Sequence, residues 1–314
     1  MNIQIRPLNS ETDDIYIARI WSAIHERLIT VSMLREWYQG PFAPDYQLYR
    51  AVGVNANQEI VGYIAVEHQS NDQPDRFALT VMVDPAHRRQ GIGTQLYEHA
   101  RQQAENMGAI RFTSSALESH PEALRFAEQR GFLIERKTFE STIDLHTFDE
   151  SRFAGLIEAV ESTGIRFFSL ADVGDTLEAR RKLHHVNFEV VRDEPGSDRD
   201  YIGFDQFNEM FNTASWFRAD GQILAADGDE YIGLAAVGYF ADTNSMYNMI
   251  TGVMPGYRGR NIAQALKLLT IRYSKTTGAD YIRTHNDSQN APMLAINYKL
   301  GYQPGAVSCR LAKN

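Results

Sequence analysis

Apolar runs and amphipathic segments alternate along this chain, and the same order of segments occurs twice. Residues 77–83 and 247–253 are mostly apolar, with Val, Thr, Met and aromatic side chains, and a proline follows each run two residues later. Runs of this composition predict buried strands. Residues 93–108 and 264–278 come next, with apolar residues at helical spacing and a glycine at the end. These two segments therefore predict amphipathic helices.

A second strand and a second helix complete each copy. Residues 111–116 and 281–286 have the composition of strands, and residues 120–132 and 290–302 have that of helices stopped by a glycine. Weaker patterns of strand, helix and strand precede each copy. The repeated unit is therefore strand, loop, helix, strand, helix.

The repetition keeps a single register. Identical residues recur at an offset of 170 (253 − 83 = 170), in the pairs Val83 and Val253, Pro85 and Pro255, Arg88 and Arg258, Ile92 and Ile262, and Leu96 and Leu266. The register continues without a gap to Gly131 and Gly301, so about fifty residues repeat in one alignment. Chance matches do not keep phase over this distance. We therefore predict two domains, residues 1–146 and 147–314.

The loop between the first strand and the first helix of each copy carries the candidate chemistry. Its residues are Arg88, Arg89, Gln90, Gly91, Ile92 and Gly93 in the first copy, and Arg258, Gly259, Arg260, Asn261, Ile262 and Ala263 in the second. A helix that begins after a loop of small residues presents unpaired N–H groups and the positive end of its dipole, and both favour a bound phosphate. Arginines in the same loop add charge and paired hydrogen bonds. The loops therefore predict a phosphate or pyrophosphate ligand.

Other phosphate-binding loops do not fit these residues. The spacing differs from G-x-x-x-x-G-K-S/T, which excludes a nucleoside triphosphatase loop, and the dinucleotide motif G-x-G-x-x-G is absent. A strand, a turn and a helix with one Arg and two Gly also arise by accident in many folds. Two copies in one register favour a ligand site instead, and the pyrophosphate of coenzyme A is the remaining candidate.

Composition narrows the class of protein further. Of the 314 residues, 43% are hydrophobic, yet nowhere do about eighteen apolar residues run without a charge, so we expect a cytoplasmic protein with no membrane contact. The single cysteine, Cys309, cannot form an internal disulfide, and no Cys/His spacing predicts a metal site. The formal net charge of -9 disfavours nucleic acid as a partner.

Both copies resemble the GNAT acetyltransferase family. The run V-x-P-x-x-R-x-x-G-I-G at 83–93, followed by A-L-R-F-x-x-x-x-G-F at 123–132, is similar to two motifs of that family, and 253–263 with 290–302 repeats them. The resemblance implies an α+β fold of two tandem acyltransferase domains, each a twisted mixed β-sheet flanked by helices, with its fourth and fifth strands splayed around the pantetheine.

The resemblance also implies the ligands. Acetyl-CoA is the expected co-substrate, a small-molecule amine the expected acceptor, and the protein a monomer or a homodimer. Cofactor binding is assigned to the two loops together with Val83, Val253, Asn286 and Asn290.

Two catalytic positions of that family are altered in both copies. Where many members carry a tyrosine that protonates the leaving thiolate, this chain has Ala127 and Asn297. Where some members carry a glutamate as general base, it has Phe77 and Tyr247. Because the second copy keeps polar residues there, we expect the chemistry in the second domain, with Tyr247, Asn297 and Tyr298 as candidate catalytic residues.

The missing acid and base leave two interpretations open. A thiol with a pKa near 8.5 leaves as a thiolate at a cost of only about 2 kcal/mol, so an acid is not required. An amine with a pKa near 10.4 is neutral in only about one molecule in 2,500 at pH 7, a cost of about 4.6 kcal/mol without a base. One interpretation is an N-acetyltransferase that uses a weakly basic amine, or a water relay to a distant base. The alternative is a catalytically silent acyl-CoA-binding or regulatory protein.

Overall fold

The computed structural model of the chain describes residues 2–25, 28–39, 46–68, 73–192 and 202–314. The chain divides into two compact units, one containing Met1–Glu135 with Cys309–Asn314 and the other containing Arg136–Ser308. Compact units follow packing, whereas the domains expected from the sequence follow the duplication. A domain boundary at residue 146 therefore stays a prediction.

The first unit is a sheet covered by helices on both faces. Its strands are β1 (Gln4–Pro7), β2 (Gln47–Val54), β3 (Ile60–His68), β4 (Arg76–Val83) and β5 (Arg111–Leu117), and its helices are α1 (Ser10–His25), α2 (Val31–Gln39), α3 (Ile92–Asn106) and α4 (Pro121–Glu128). The strands lie in the order β1-β2-β3-β4-β5, and only β4 and β5 run parallel. The last residues of the chain add a strand beside β5.

The second unit repeats this plan. Its elements are β6 (Leu133–Asp144), α5 (Leu156–Glu161), β7 (Ile165–Ser169), α6 (Leu177–Val191), α7 (Phe204–Thr213), β8 (Gln222–Asp227), β9 (Glu230–Phe240), β10 (Ser245–Val253), α8 (Ile262–Thr276), β11 (Tyr281–Asp287) and α9 (Ala291–Leu300). The last strand, β12 (Gln303–Lys313), begins in this unit and ends in the first. The strands of the second unit lie in the order β6-β11-β10-β9-β8-β7, and the parallel pair is β10 with β11. The mixed sheets and flanking helices confirm the predicted fold class.

Each sheet has an apolar core on both faces. In the first unit α3 lays Ile92, Leu96 and Ala100 on one face, and α1 lays Ile17 and Ile20 on the other. These residues recur at the three- and four-residue spacing that puts side chains on one side of a helix. In the second unit α8 takes the place of α3, and α6 and α7 cover the opposite face. The helices that follow the two loops are therefore fixed to the sheets over their whole length.

Strand β10 and helix α6 approach so closely that only glycine fits between them. A Cβ added at Gly252 would overlap with the side chain of Val190, which is itself buried. At Gly256, in contrast, an added Cβ would meet nothing within 4 Å. Because Val190 is attached to a packed helix, the overlap cannot be relieved by rotating a long side chain. Gly252 therefore sets the distance between α6 and β10.

We predict that Gly252→Ala lowers the free energy of unfolding by about 1–3 kcal/mol, because overpacking a core forces its neighbours apart. Urea unfolding measures the change. Gly256→Ala is the matched control and should leave the midpoint unchanged. The double variant Gly252→Ala/Val190→Ala should regain part of the loss because it removes the overlapping methyl groups, and a Gly252→Ala protein as stable as the parent would contradict this packing.

Candidate active site

The parallel strands of each unit start paired and then separate. The β4–β5 pairing covers only Arg76–Ala78 and Arg111–Thr113 of the two strands. The β10–β11 pairing covers only Ser245–Tyr247 and Tyr281–Arg283. Beyond these residues each pair opens into a gap at the carboxyl ends of the strands, which is the end where β4 and β10 lead into the loops. The gap and the loop are therefore neighbouring parts of one site in each unit.

A side-chain hydroxyl bridges each pair of strands where the gap begins. In the first unit Oγ of Ser114 donates to the carbonyl of Leu79 at 2.8 Å. In the second, Oγ1 of Thr284 donates to the carbonyl of Asn248 at 3.0 Å. These bonds replace the backbone pairing that is lost there, since buried carbonyl groups require a partner. Ser114 and Thr284 correspond in the duplication, so this feature is common to both units.

The two loops share one backbone conformation with different residues. Arg89 and Gly91 have φ values of 64° and 79°, and their counterparts Gly259 and Asn261 have φ values of 76° and 60°. Each loop thus holds one glycine and one larger residue in the left-handed region, in opposite order. Asn tolerates this region better than most residues do, which explains how position 261 dispenses with glycine.

Both helices begin at these loops without a side-chain cap among the described residues. Gly91 and Asn261 occupy the N-cap positions of α3 and α8, and neither helix has a side chain bonded to its first amides. Helix starts of this kind leave N–H groups available and carry a partial positive charge. Ile92 and Ile262 anchor the first turns in the cores, whereas Arg89, Gln90 and Gly91 and their counterparts Gly259, Arg260 and Asn261 are exposed. Both loops have the geometry for binding an anion.

Arg88 and Arg258 both contact the end of the strand before their loop. Nε of Arg88 donates to the carbonyl of Val83 at 3.4 Å, and its Nη1 lies 3.1 Å from Glu122. Nε of Arg258 donates to the carbonyl of Val253 at 3.0 Å. These two arginines therefore tie the loops to the strand ends, and their expected role as phosphate ligands stays a prediction.

Three other loop residues, Arg260, Gly93 and Ala263, lie beside aromatic or apolar side chains. Arg260 is exposed beside the Tyr257 ring. A Cβ added at Gly93 would lie 3.4 Å from the Phe126 ring, and its counterpart Ala263 packs against the second core.

Strand β10 carries a bulge that β4 lacks. The β9–β10 register jumps between Asn248 and Ile250, so Met249 has no partner on β9. The β3–β4 register is regular from Gly62 with Val83 to Glu67 with Ala78. A bulge adds one unpaired residue and redirects the backbone next to it. Only the second unit therefore combines the opened gap with an interrupted strand.

The side chain of Asn248 makes the hydrogen bonds that the bulge removes from the ladder. Its Nδ2 donates to the carbonyls of Ala236 and Ile250, each at 3.1 Å, and its Oδ1 accepts from Thr251 at 3.0 Å. Asn248 is 2% exposed, so these bonds are protected from water. The asparagine therefore holds the bulge in place from the core side of the sheet.

A buried lysine supports Asn248. Lys267 on α8 is 1% exposed, and its Nζ lies 2.7 Å from Oδ1 of Asn248 and 4.8 Å from the centre of the Tyr302 ring. Burial lowers the pKa of Lys267 to about 7, because removal from water disfavours the ammonium. The counterpart of Lys267 in the first unit is Tyr97. The second unit thus places a titratable group behind its bulge.

Asn286 and Asn297 form a buried amide chain on the core side of β11. Nδ2 of Asn297 donates to Oδ1 of Asn286 at 2.6 Å, and Nδ2 of Asn286 donates to Ser141 at 2.8 Å. Oδ1 of Asn297 is buried without a partner among the described residues. A buried acceptor without a donor is unfavourable by about 1–3 kcal/mol, so a further donor at this point would be stabilising.

Two other candidates lie away from that chain. Oδ1 of Asn290 accepts from the amide of Met293 at 3.3 Å, which makes Asn290 the N-cap of α9. Tyr298 is 53% exposed and lies one helix position beyond Asn297, about 100° around α9. The structure therefore brings Asn286 and Asn297 together and leaves Asn290 and Tyr298 outside that pair.

Tyr247 lies on the opposite face of the sheet, beside a histidine. Its hydroxyl is 3.0 Å from Nδ1 of His285, and the rings meet edge-on with centroids 5.7 Å apart. The guanidinium of Arg283 lies 4.9 Å from the Tyr247 ring and donates to Glu140 at 3.0 Å. Tyr247 is thus one member of a polar pair at the start of the gap.

Most of the corresponding positions in the first unit carry side chains that do not exchange protons. The counterparts of Tyr247, Asn248, His285, Asn286 and Asn297 are Phe77, Ala78, Ser115, Ala116 and Ala127. One acidic group does lie near that gap: Glu67 on β3, whose pKa is raised by burial and which accepts from Tyr46 at 3.2 Å. The first unit therefore has a loop with the geometry for binding an anion but few groups that exchange protons.

Sequence reasoning did not identify Asn248, Lys267, His285 or Glu67. Three of them leave a signal in the duplication, because Asn248, Lys267 and His285 replace Ala78, Tyr97 and Ser115 at the same offset. Comparing the copies position by position for gains of polar residues would therefore have found them. Glu67 leaves no such signal, since it is one acidic residue in an apolar strand.

Most of the chain is similar in sequence to known proteins. The sequence model of the acetyltransferase (GNAT) family matches residues 16–132 and 181–302. The mycothiol acetyltransferase of Amycolatopsis mediterranei is 26% identical over 251 residues, covering 78% of this chain and 77% of that protein. That of Saccharomonospora viridis is 24% identical over 295 residues, covering 84% and 83%. These matches confirm the resemblance found in the motifs and the predicted class of enzyme, an N-acetyltransferase.

Solved structures are similar over the full length. A GCN5-related N-acetyltransferase from Sphaerobacter thermophilus has a TM-score of 0.77 and 18% identity, covering 99% of this chain and 95% of that one. A tandem GNAT protein from the clavulanic acid biosynthesis pathway has a TM-score of 0.69 and 19% identity, covering 99% and 98%. Both similarities show the fold. The second structure is also that of a tandem protein.

The described residues contain no candidate metal site and no candidate membrane-spanning helix. They contain no group of three or more His, Cys, Asp or Glu side chains placed to hold a metal ion. Of the helices just described, none is long and apolar enough to cross a bilayer.

We predict that the buried lysine makes stability depend on pH. Between about pH 7 and about pH 10 the unfolded chain holds a proton on Lys267 that the folded chain does not, so the free energy of unfolding rises with pH by up to about 1.4 kcal/mol per unit. Lys267→Met cannot titrate. In urea unfolding of both proteins, the free energy of unfolding of the parent should rise by about 2 kcal/mol relative to that of the variant between about pH 7.5 and about pH 9.5. A difference that is constant with pH would contradict a buried, depressed amine.

Proposed function

The chain belongs to the GNAT acetyltransferase family, and from this premise we propose that it transfers an acetyl group from acetyl-CoA to a small amine, with the chemistry in the second unit. The amine attacks the thioester directly in the gap between β10 and β11. The first unit binds CoA at its loop without turning it over. The observation that carries this assignment is the bulge in β10 at the edge of the gap.

The bulge supplies what attack on a thioester needs. As the amine adds, negative charge grows on the thioester oxygen, and a preorganised N–H donor at that point is worth about 3 kcal/mol. Beyond Tyr247, β10 has no strand partner on the side of the gap, and Met249 has none on β9. Asn248 and Lys267 hold this unpaired backbone in one position from behind. A rigid strand edge of this kind favours the transition state over the free thioester.

Asn297 offers a second contact to the cofactor. Its Oδ1 is buried without a partner among the described residues, on α9 next to β11. An amide N–H of the pantetheine arm would supply the missing donor and remove the unfavourable free energy of an unpaired acceptor. Asn286 fixes the orientation of that amide. We therefore assign Asn297 to cofactor positioning and leave the thiolate to depart without a protein acid.

A silent acyl-CoA-binding protein is the second candidate, and the first unit favours it. That unit has the left-handed loop and the opened strands, but Phe77, Ala116 and Ala127 line the positions where the second unit has polar groups. If the second unit had also lost catalysis, the whole chain would only bind the cofactor. The polar residues gained in the second copy argue for turnover there.

We predict steady release of free thiol from acetyl-CoA with at least one member of a panel of small amines, polyamines, aminoglycosides and amino acids. The expected rate follows the acceptor concentration and saturates. A thiol-reactive dye measures it, and mass spectrometry of the acceptor should show one acetyl group added. A protein that binds acetyl-CoA but turns over no acceptor supports the binding module and contradicts the enzyme.

Matched loop variants separate the roles of the units. We predict that Arg258→Gln raises the KM for acetyl-CoA about tenfold or more, since losing a charge-assisted contact is worth about 1.5–3 kcal/mol. Arg88→Gln should leave steady-state turnover within about twofold and remove one CoA from the binding stoichiometry. Calorimetric titration and thiol-release kinetics on the same preparations give both quantities. If Arg88→Gln abolishes turnover and Arg258→Gln does not, the assignment of the units is reversed.

A further inference from the structure

We propose that Tyr247 and His285 form the proton-accepting pair that deprotonates the amine in the second unit. This inference rests on the proposed function, because it concerns the same gap and the same reaction. It supplies the group that the sequence lacks, since neither copy has a carboxylate at the position where some family members carry their base.

The geometry of the pair fits a relay. The hydroxyl of Tyr247 is 3.0 Å from Nδ1 of His285, which is hydrogen-bond distance. Tyr247 is the last residue of β10 paired with β11, and His285 stands on β11 two residues beyond the paired Arg283. The two side chains therefore flank the point where the strands separate. His285 is exposed, so a proton that reaches its ring can pass on to water.

Charged groups on the neighbouring strands are balanced around the pair. Glu140 stands directly opposite His285 in the β6–β11 register and is paired with Arg283. Further along β11, Asp287 is paired with Arg136 at 3.3 Å. On β9 the apolar ring of Phe240 lies 6.2 Å from the ring of Tyr247. The two carboxylates nearest the pair, Glu140 and Asp287, are thus each paired with an arginine.

Arg283 pairs with Glu140 and also contacts the ring of Tyr247. Its guanidinium lies 4.9 Å from the centre of the Tyr247 ring. A cation there stabilises the negative charge that develops on the phenol oxygen while its proton moves to His285. An ordinary imidazole titrates near pH 6.5, so a histidine is ready to accept a proton at neutral pH.

The proton transfer balances without any further reagent. The acceptor ammonium gives a proton to the oxygen of Tyr247 as the hydroxyl proton moves to Nδ1 of His285, which requires the tautomer with hydrogen on Nε2. The neutral amine nitrogen then bonds to the thioester carbon, and the C–S bond breaks with its electron pair on sulfur. A second N–H proton of the amine goes to that thiolate. The imidazolium of His285 returns its proton to water, and the products are the amide, free CoA and one proton.

The first unit provides a matched control for such a pair. Its residues at the corresponding positions are Phe77 and Ser115, which cannot relay a proton to an imidazole. It does contain a similar contact elsewhere, where the hydroxyl of Tyr49 lies 2.9 Å from Nε2 of His99 on α3. His99→Asn therefore removes a tyrosine-bonded imidazole that has no part in the proposed reaction.

The test is the pH profile of kcat/KM with an alkyl amine acceptor whose pKa is about 10. We expect the parent rate to level off well below that pKa. His285→Asn should lower kcat/KM about a hundredfold or more at pH 7, which is the usual range for a lost general base, and should make the rate climb with pH toward the pKa of the amine. Tyr247→Phe should have the same profile. Because His285 is exposed, added imidazole should restore part of the activity of His285→Ala.

Further measurements separate catalysis from folding and binding. The KM for acetyl-CoA and its thermal stabilisation should be unchanged in His285→Asn, and His99→Asn should keep the parent profile. If the parent turns over the amine and His285→Asn retains its level and its plateau, the pair is not the base and the proposed function survives. If the parent turns over no amine at all while still binding acetyl-CoA, the proposed function fails, and this inference fails with it.

Discussion

The separation of β10 from β11 is the constraint on which the rest of the site depends. Two parallel strands that start in register and then part leave peptide groups that need partners, because buried backbone groups are rarely left unpaired. The hydroxyl of Thr284 donates a hydrogen bond to one backbone carbonyl, and the side-chain amide of Asn248 donates to two more. What remains unpaired is the edge that faces the gap. A thioester lying there would meet donors that are already fixed in place, which is the arrangement that lowers barriers in acyl transfer.

Maintaining that opening requires unfavourable groups in the core. A lysine that is 1% exposed and an asparagine that is 2% exposed replace the tyrosine and alanine of the first copy. Burial of an amine disfavours its charge, which is why the pKa of Lys267 is lowered to about 7. Burying polar groups of this kind costs stability that their hydrogen bonds only partly offset, and strain and shifted pKa values are concentrated at active sites. The asymmetry between the units is therefore a physical argument for divergence in function after duplication.

Much of the fold followed from the sequence, whereas the site followed only in part. Strands, helices and loops were predictable because the copies share one register, and the loop at Gly91 was recognisable from its small residues and its position before a helix. The bulge was not predictable, since it depends on how β10 aligns with β9. Neither was the burial of Lys267, which stands between Leu266 and Leu268 and could face either way. The contact of Tyr247 with His285 joins residues 38 positions apart and depends on the pairing of two strands.

The position of the acetyl group in the acetyl-CoA complex tests the central claim most directly. A crystal structure of the full chain with acetyl-CoA should show the thioester between β10 and β11, with its carbonyl oxygen within about 3 Å of a peptide N–H of β10 near Met249. CoA bound at the loop of the first unit is compatible with the account. An acetyl group lying between β4 and β5, with the second gap empty at saturating ligand, would contradict it.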